Sequence, residues 1–224
     1  MVAEVTVKQL VMSDAEIATR LGFAGSEKII RLYISDGGDP IYNNRTWNDP
    51  VPYSRIPEDW QYDYIRTNTK KISNFIDLIF LEVDSSSTAD YEIVIHPLPQ
   101  KDAVSGGQST PDTLMISHQT GVPSPYHLEP DAEKVVHDEW SKSVQTEIFL
   151  HELGHLLGLE HPWDKDDGDF AVDSWDDIHA STRMGYNEHL SGEKGWYEDI
   201  DILALQSIWG ASQTTSVLPL VLGN

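Results

Sequence analysis

The stretch His151-Glu152-Leu153-Gly154-His155-Leu156-Leu157-Gly158-Leu159-Glu160-His161 decides how the rest of this chain is read. It closes a run in which Val144, Ile148, His151 and His155 recur at helical spacing, so a helix is expected over 143–157, with Gly158 as its stop. Residues four apart on a helix differ by only about 40° of rotation, so His151 and His155 project from one face, one turn apart. Two imidazoles so placed can share one metal ion. The chain has nine His and no Cys, which excludes thiolate metal sites, a disulfide framework and a cysteine nucleophile. Nitrogen ligands without thiolates suit zinc. Glu152 is placed to reach a water on that metal without ligating it. Gly158 can take a positive φ and turn the chain so that His161 reaches the same ion. Three His ligands leave a fourth position open, which marks a catalytic zinc site rather than a structural one.

Working outward, a short helix is expected at Ser13–Gly22, with Ser13, Asp14 and Glu16 at its start. A strand follows at Lys28–Ser35, stopped by Asp36-Gly37-Gly38, and then a longer helix from Glu58 to Phe75. Trp60, Tyr64, Ile65, Ile72 and Phe75 form its expected buried face. Strands are expected at Ile76–Val83, Tyr91–His96 and Thr113–Ser117, and a last helix at Asp199–Trp209, closed by Gly210. This order suggests an α+β domain: a twisted mixed sheet of about five strands with three main helices packed on it.

Against 15 Lys+Arg stand 37 Asp+Glu, a formal charge of −22, and residues 131–224 hold 19 of those acids with only five bases. That balance argues against nucleic-acid or anionic-membrane partners, which need basic patches. No apolar run reaches the ~18 residues of a membrane span. The first residues show no basic and apolar leader, so no Sec signal peptide is visible.

His151-Glu152-x-x-His155-x-x-Gly158-x-x-His161 resembles the signature of the metzincin metallopeptidases. The resemblance implies that His151, His155 and His161 bind zinc, that Glu152 is the general base, and that a Met-turn lies beneath the metal. Met184, in Ser181-Thr182-Arg183-Met184-Gly185-Tyr186, is the match for that turn and the only Met beyond residue 115. Pro162 after the third His and Tyr186 two places after the Met both look like the serralysin branch, as does Asp199–Ala211. In that branch the tyrosine is a fifth zinc ligand that swings away during turnover, a role implied for Tyr186. The fold implied is a zincin-like catalytic domain split by a cleft. Its upper subdomain would run over about 13–158 and its lower one over about 159–212, with 213–224 as a tail. An extended peptide would pair with an edge strand near Ala103-Val104-Ser105-Gly106. Nothing like the calcium-binding repeats of serralysins follows Ala211, as expected of a catalytic domain alone.

The function expected is zinc-dependent endopeptidase action on polypeptides by a secreted monomer. Two alternatives stay open: a catalytically silent zinc module that binds peptides or proteins, and a narrow-specificity intracellular zinc peptidase. Asp164, Asp166, Asp167 and Asp169 around Gly168 form a second candidate site, for calcium through oxygen ligands. The remaining histidines, His96, His118, His127, His137, His179 and His189, show no mutual ligand spacing. His179, between the third ligand and Met184, is the one to test for a second metal.

Overall fold

The computed structural model describes residues 5–38, 54, 56–97, 107–109, 112–118, 134–165, 167–172, 182–185 and 196–213, with the backbone alone at 96–97, 107–109, 115–118 and 134–144. Its elements are α1 (Asp14–Ala24), β1 (Ile29–Ile34), α2 (Asp59–Ile72), β2 (Ile79–Glu82), β3 (Tyr91–Pro97), β4 (Gly107–Ser109), β5 (Thr113–His118), α3 (Lys134–Leu156) and α4 (Asp199–Trp209). Short 3-10 turns stand at Val7–Leu10 and Ser86–Thr88.

The five strands form one sheet in the order β2-β1-β3-β5-β4. The first four are parallel and β4 runs antiparallel to β5 at the edge. A parallel neighbour cannot be reached by a tight turn, so α2 serves as the crossover from β1 to β2. The registers Leu32↔Tyr91, Ile34↔Ile93 and Ile93↔Leu114 align the apolar centres of β1, β3 and β5. Ile30, Leu32, Ile34, Ile93, Ile95 and Leu114 are buried there in one cluster with Phe149, Leu150, Leu153, Leu156 and Leu157 of α3. Each such side chain contributes roughly 1.5–3 kcal/mol on burial. Helix α3 packs against β4 and β5, at the antiparallel edge of the sheet.

Differences from the expected elements have physical causes. Helix α3 begins at Lys134, well before Ser143, through a segment rich in charge that apolar periodicity does not reveal. On α2, Ile65 and Ile72 are buried as expected, but Trp60 is half-buried and its Nε1 donates to Glu58. The buried face is completed by polar groups that find partners. Gln61 Nε2 donates to Gln145 Oε1, Asn68 Nδ2 to the Tyr64 carbonyl and Thr69 Oγ1 to the Ile65 carbonyl. Strand β2 is shorter than Ile76–Val83, because Ile76 instead forms a bridge with Ala211. The expected edge segment 103–106 lies outside the described residues; the edge strand observed, β4, follows it directly.

The end of α3 is held with unusual completeness. A helix C-terminus leaves its last carbonyls without intrahelical partners. Here Gly158 N donates to the His155 carbonyl and Leu159 N to the Gly154 carbonyl, a Schellman closure with Gly158 at φ 104°. Arg20 Nε, buried under α1, donates to the carbonyls of His155 and Leu156 at 3.2 Å each. Tyr91 OH reaches the Leu156 carbonyl and Trp209 Nε1 the Leu157 carbonyl. Tyr64 and Tyr197 hydroxyls add bonds to the carbonyls of Thr146 and Leu150. Donors from α1, α2, β3 and α4 therefore fix where the histidines stand.

A Cβ at Gly158 would meet Ile17 Cδ1 at 2.6 Å on a backbone that side chains rarely adopt. Gly158→Ala should therefore cost about 2–4 kcal/mol, from strain together with overpacking. Urea unfolding checks this; an unchanged midpoint would remove the closure from the account.

Candidate metal and active site

The three histidines of the motif converge. His151 Nε2 lies 3.1 Å from His155 Nε2 and 3.2 Å from His161 Nε2, and the latter two are 3.1 Å apart. His151 Nδ1 lies 2.9 Å from the Arg183 carbonyl and His155 Nδ1 2.8 Å from the Leu159 carbonyl. A carbonyl only accepts, so each Nδ1 carries the proton and each Nε2 presents a lone pair. His161 Nδ1 faces Asp164 Oδ2 at 3.1 Å, which sets the same tautomer. Three lone pairs at this distance cannot hydrogen-bond one another, and one cation between them would satisfy all three. Tetrahedral zinc with nitrogens at about 2.0–2.1 Å requires them about 3.3 Å apart, so the donor set fits zinc.

Electrostatics favour ligation. Burial, with a smaller contribution from the neighbouring His161, lowers His151 to about 4. Burial and the two neighbouring imidazoles hold His155 well below its ordinary range. Both rings are thus neutral at pH 7, the form that binds metal. Glu152 is buried beside His151 on α3.

The structure sets Asp164 against His161. Its Oδ2 accepts from both the backbone N and Nδ1 of His161 at 3.1 Å each. Burial opposes its charge, but the bonds to His161 outweigh that and keep Asp164 below the usual carboxylate range. Trp163 stacks on His161 with ring centroids 4.5 Å apart and planes 14° from parallel. Ring orientation set by such a partner is commonly worth 10–100-fold in metal affinity. Asp164→Ala should weaken zinc binding by about that factor, read by competition with a chromophoric chelator. Unchanged affinity would show that Trp163 stacking alone orients the ring.

Met184 is fully buried beneath α3. A Cβ at Gly154 would stand 2.6 Å from Met184 Sδ, so this glycine, between the first two histidines, is where the helix rests on the methionine. The turn around Met184 is held from α4. Asp201 accepts from Thr182 Oγ1, from Arg183 N at 2.8 Å and from Glu198 N at 2.9 Å. Arg183 in turn donates to the Trp196 carbonyl from Nε and from its terminal guanidinium nitrogen, at 3.0 and 2.6 Å. A chain of contacts thus runs from Asp201 through the Arg183 backbone to His151. Neither Asp201 nor Arg183 carries a sequence signal for this, because the bonds that matter are made to backbone groups.

Of the four acids around Gly168, Asp167 and Asp169 come together, joined not by Asp164 but by Glu160. Burial, then the charges of Asp167, Asp164 and Asp169, push Glu160 up to about 8. Asp166, Tyr186, His127, His179 and His189 lie outside the described residues, as do the side chains of His96, His118 and His137.

No protein-family model matches the chain. The serralysin of Photorhabdus laumondii subsp. laumondii is 25% identical over 166 residues, covering 68% of this chain and 30% of that protein. The serralysin of Photorhabdus luminescens is 35% identical over 82 residues, 30% of this chain and 17% of that protein. The chain thus spans less than a third of the length of the curated relatives it matches. Among solved structures, that of myroilysin aligns with a TM-score of 0.43 at 13% identity, over 83% of this chain and 94% of that one. The motif resembles that of the metzincin peptidases, and the curated relatives it matches in sequence are of that class. Within that class its likeness is to the serralysins.

Proposed function

We propose that this chain is a zinc-dependent endopeptidase with Glu152 as general base. The observation that carries the reading is the triangle of Nε2 lone pairs, each ring locked through its Nδ1, beside a buried carboxylate on the same helix. Zinc, when bound there, supplies a Lewis acid that polarises a carbonyl and brings the pKa of a water toward about 7. The rest falls to the chain. His151, His155 and His161 hold three positions and leave one open. Glu152 takes the proton of the attacking water and passes it to the leaving amine, so the carboxylate is restored at the end of each cycle. Tyr186, two residues beyond Met184, is assigned to the developing oxyanion as a hydroxyl donor.

The substrate would lie in a cleft between the part of the chain that ends with α3 and the part that follows it. Strand β4, at the sheet edge and packed against α3, suits pairing with an extended polypeptide, which supplies backbone hydrogen bonds without demanding a sequence. Digestion of unfolded casein by the zinc-loaded chain tests the reading, with new ends mapped by mass spectrometry. Internal cuts that vanish with 1,10-phenanthroline are expected. Zinc-loaded chain that cuts nothing would make it a silent binding module instead.

A further inference from the structure

The loop after the third histidine contains an arrangement that the hydrolytic reading does not use. Glu160 N donates to the Leu10 carbonyl at 2.9 Å, and Leu159 bridges Val11, which lays this segment against the N-terminal turn Val7–Leu10. Gln9 Nε2 donates to the Phe170 carbonyl at 3.0 Å. Ala171 N and Val172 N donate to the Pro162 carbonyl at 2.8 and 3.1 Å, so the 162–172 loop closes on itself. Where loop and turn meet, one carboxylate oxygen from each of Glu160, Asp167 and Asp169 lies within 4.8 Å of the others.

Two features separate this cluster from an ordinary acidic surface. Glu160 is only 5% exposed, and among the described residues its side chain has no hydrogen bond or ion pair. Asp169, with a side chain 10% exposed, spends Oδ2 on Lys8 Nζ at 3.0 Å, while its Oδ1 is buried with no hydrogen-bond partner. A buried carboxylate oxygen normally finds a donor, and leaving one unmet costs about 1–3 kcal/mol. Both unmet groups belong to the same cluster. With all three carboxylates ionised, as a bound cation would make them, Lys8 offsets one charge and a divalent cation would neutralise the other two.

We propose that Glu160, Asp167 and Asp169 bind a calcium ion that ties the loop carrying His161 and Asp164 to the N-terminal turn. Hard oxygen ligands select calcium or magnesium over zinc, whose nitrogen site lies at the three imidazoles. Calcium accepts six to eight oxygens at about 2.3–2.6 Å in irregular geometry and completes its shell with water or backbone carbonyls. Magnesium demands a near-ideal octahedron at about 2.0–2.1 Å and gives up its waters reluctantly, so a cluster of three protein carboxylates favours the larger ion. The site needs no peptidase activity and stands or falls independently of it.

Calorimetric titration of calcium into the full zinc-loaded chain, paired with thermal unfolding, is the test. One site with Kd on the order of 10–100 μM is expected. At a hundredfold excess over Kd, Tm should rise by about 5–10 °C. Glu160→Gln and Asp169→Asn should each weaken binding at least tenfold and remove most of that rise. Asp167 is exposed, so Asp167→Asn gives the same reading on a chain whose folding is not at risk. No site tighter than about 1 mM, variants that bind as the wild type does, or magnesium bound equally tightly would each overturn the assignment.

Discussion

Glu152→Gln should bind one zinc per chain and cleave peptide about a thousandfold more slowly than the wild-type chain. Gln has the shape of Glu but cannot take a proton from water or return one to the leaving amine. General acid–base catalysis contributes about 10²–10⁴ in rate, which sets the size of the expected loss. Because only proton transfer is lost, the fall should appear in kcat while KM changes little. Zinc content by elemental analysis and kinetics on a quenched fluorescent peptide check both halves. Wild-type turnover in this variant would remove Glu152 from the mechanism.

The second large effect is expected far from the metal, at Asp201. This carboxylate on α4 has no exposed surface and accepts from Thr182, Arg183 and Glu198. Asp201→Ala strands three buried donors, each worth about 1–3 kcal/mol, so a total loss near 3–5 kcal/mol is expected after relaxation. The same change frees the Arg183 carbonyl that orients His151, and zinc affinity should fall about 10–100-fold. The pH dependence has a definite sign. Burial raises Asp201 from 3.8 to about 6 in the folded chain. A group raised on folding contributes stability that is complete below the unfolded value and is lost as pH rises through the folded one. Asp201→Asn does not titrate, so its deficit against the wild type should widen by about 2 kcal/mol between pH 7 and pH 4. Urea unfolding at the two pH values measures this; a constant deficit would show that Asp201 is not raised.

Most of the fold was legible because its elements carry their own periodicity. Ile29–Ile34 and Tyr91–Pro97 are apolar runs between turn residues, and α4 is bounded by acids at one end and Gly210 at the other. The convergence of His151, His155 and His161 was legible because an i, i+4 pair and a glycine closure are local geometry. Contacts between distant segments were not. Arg20 under the end of α3 and Asp201 on the Met184 turn join residues far apart in the chain through backbone groups. Composition and spacing carry no mark of such pairings. Asp164 shows the same limit: it looked like one acid among four, and its bond to His161 sets it apart.

On the function proposed, peptide-bond cleavage by this chain runs on one zinc held by His151, His155 and His161. Stripping the chain with a chelator and returning zinc in fractions of an equivalent, with cleavage of unfolded casein followed at each step, tests it most directly. Activity should be absent at the start, rise in proportion to zinc and level off at one equivalent. Cleavage by the zinc-free chain, or none at full occupancy, would contradict the account.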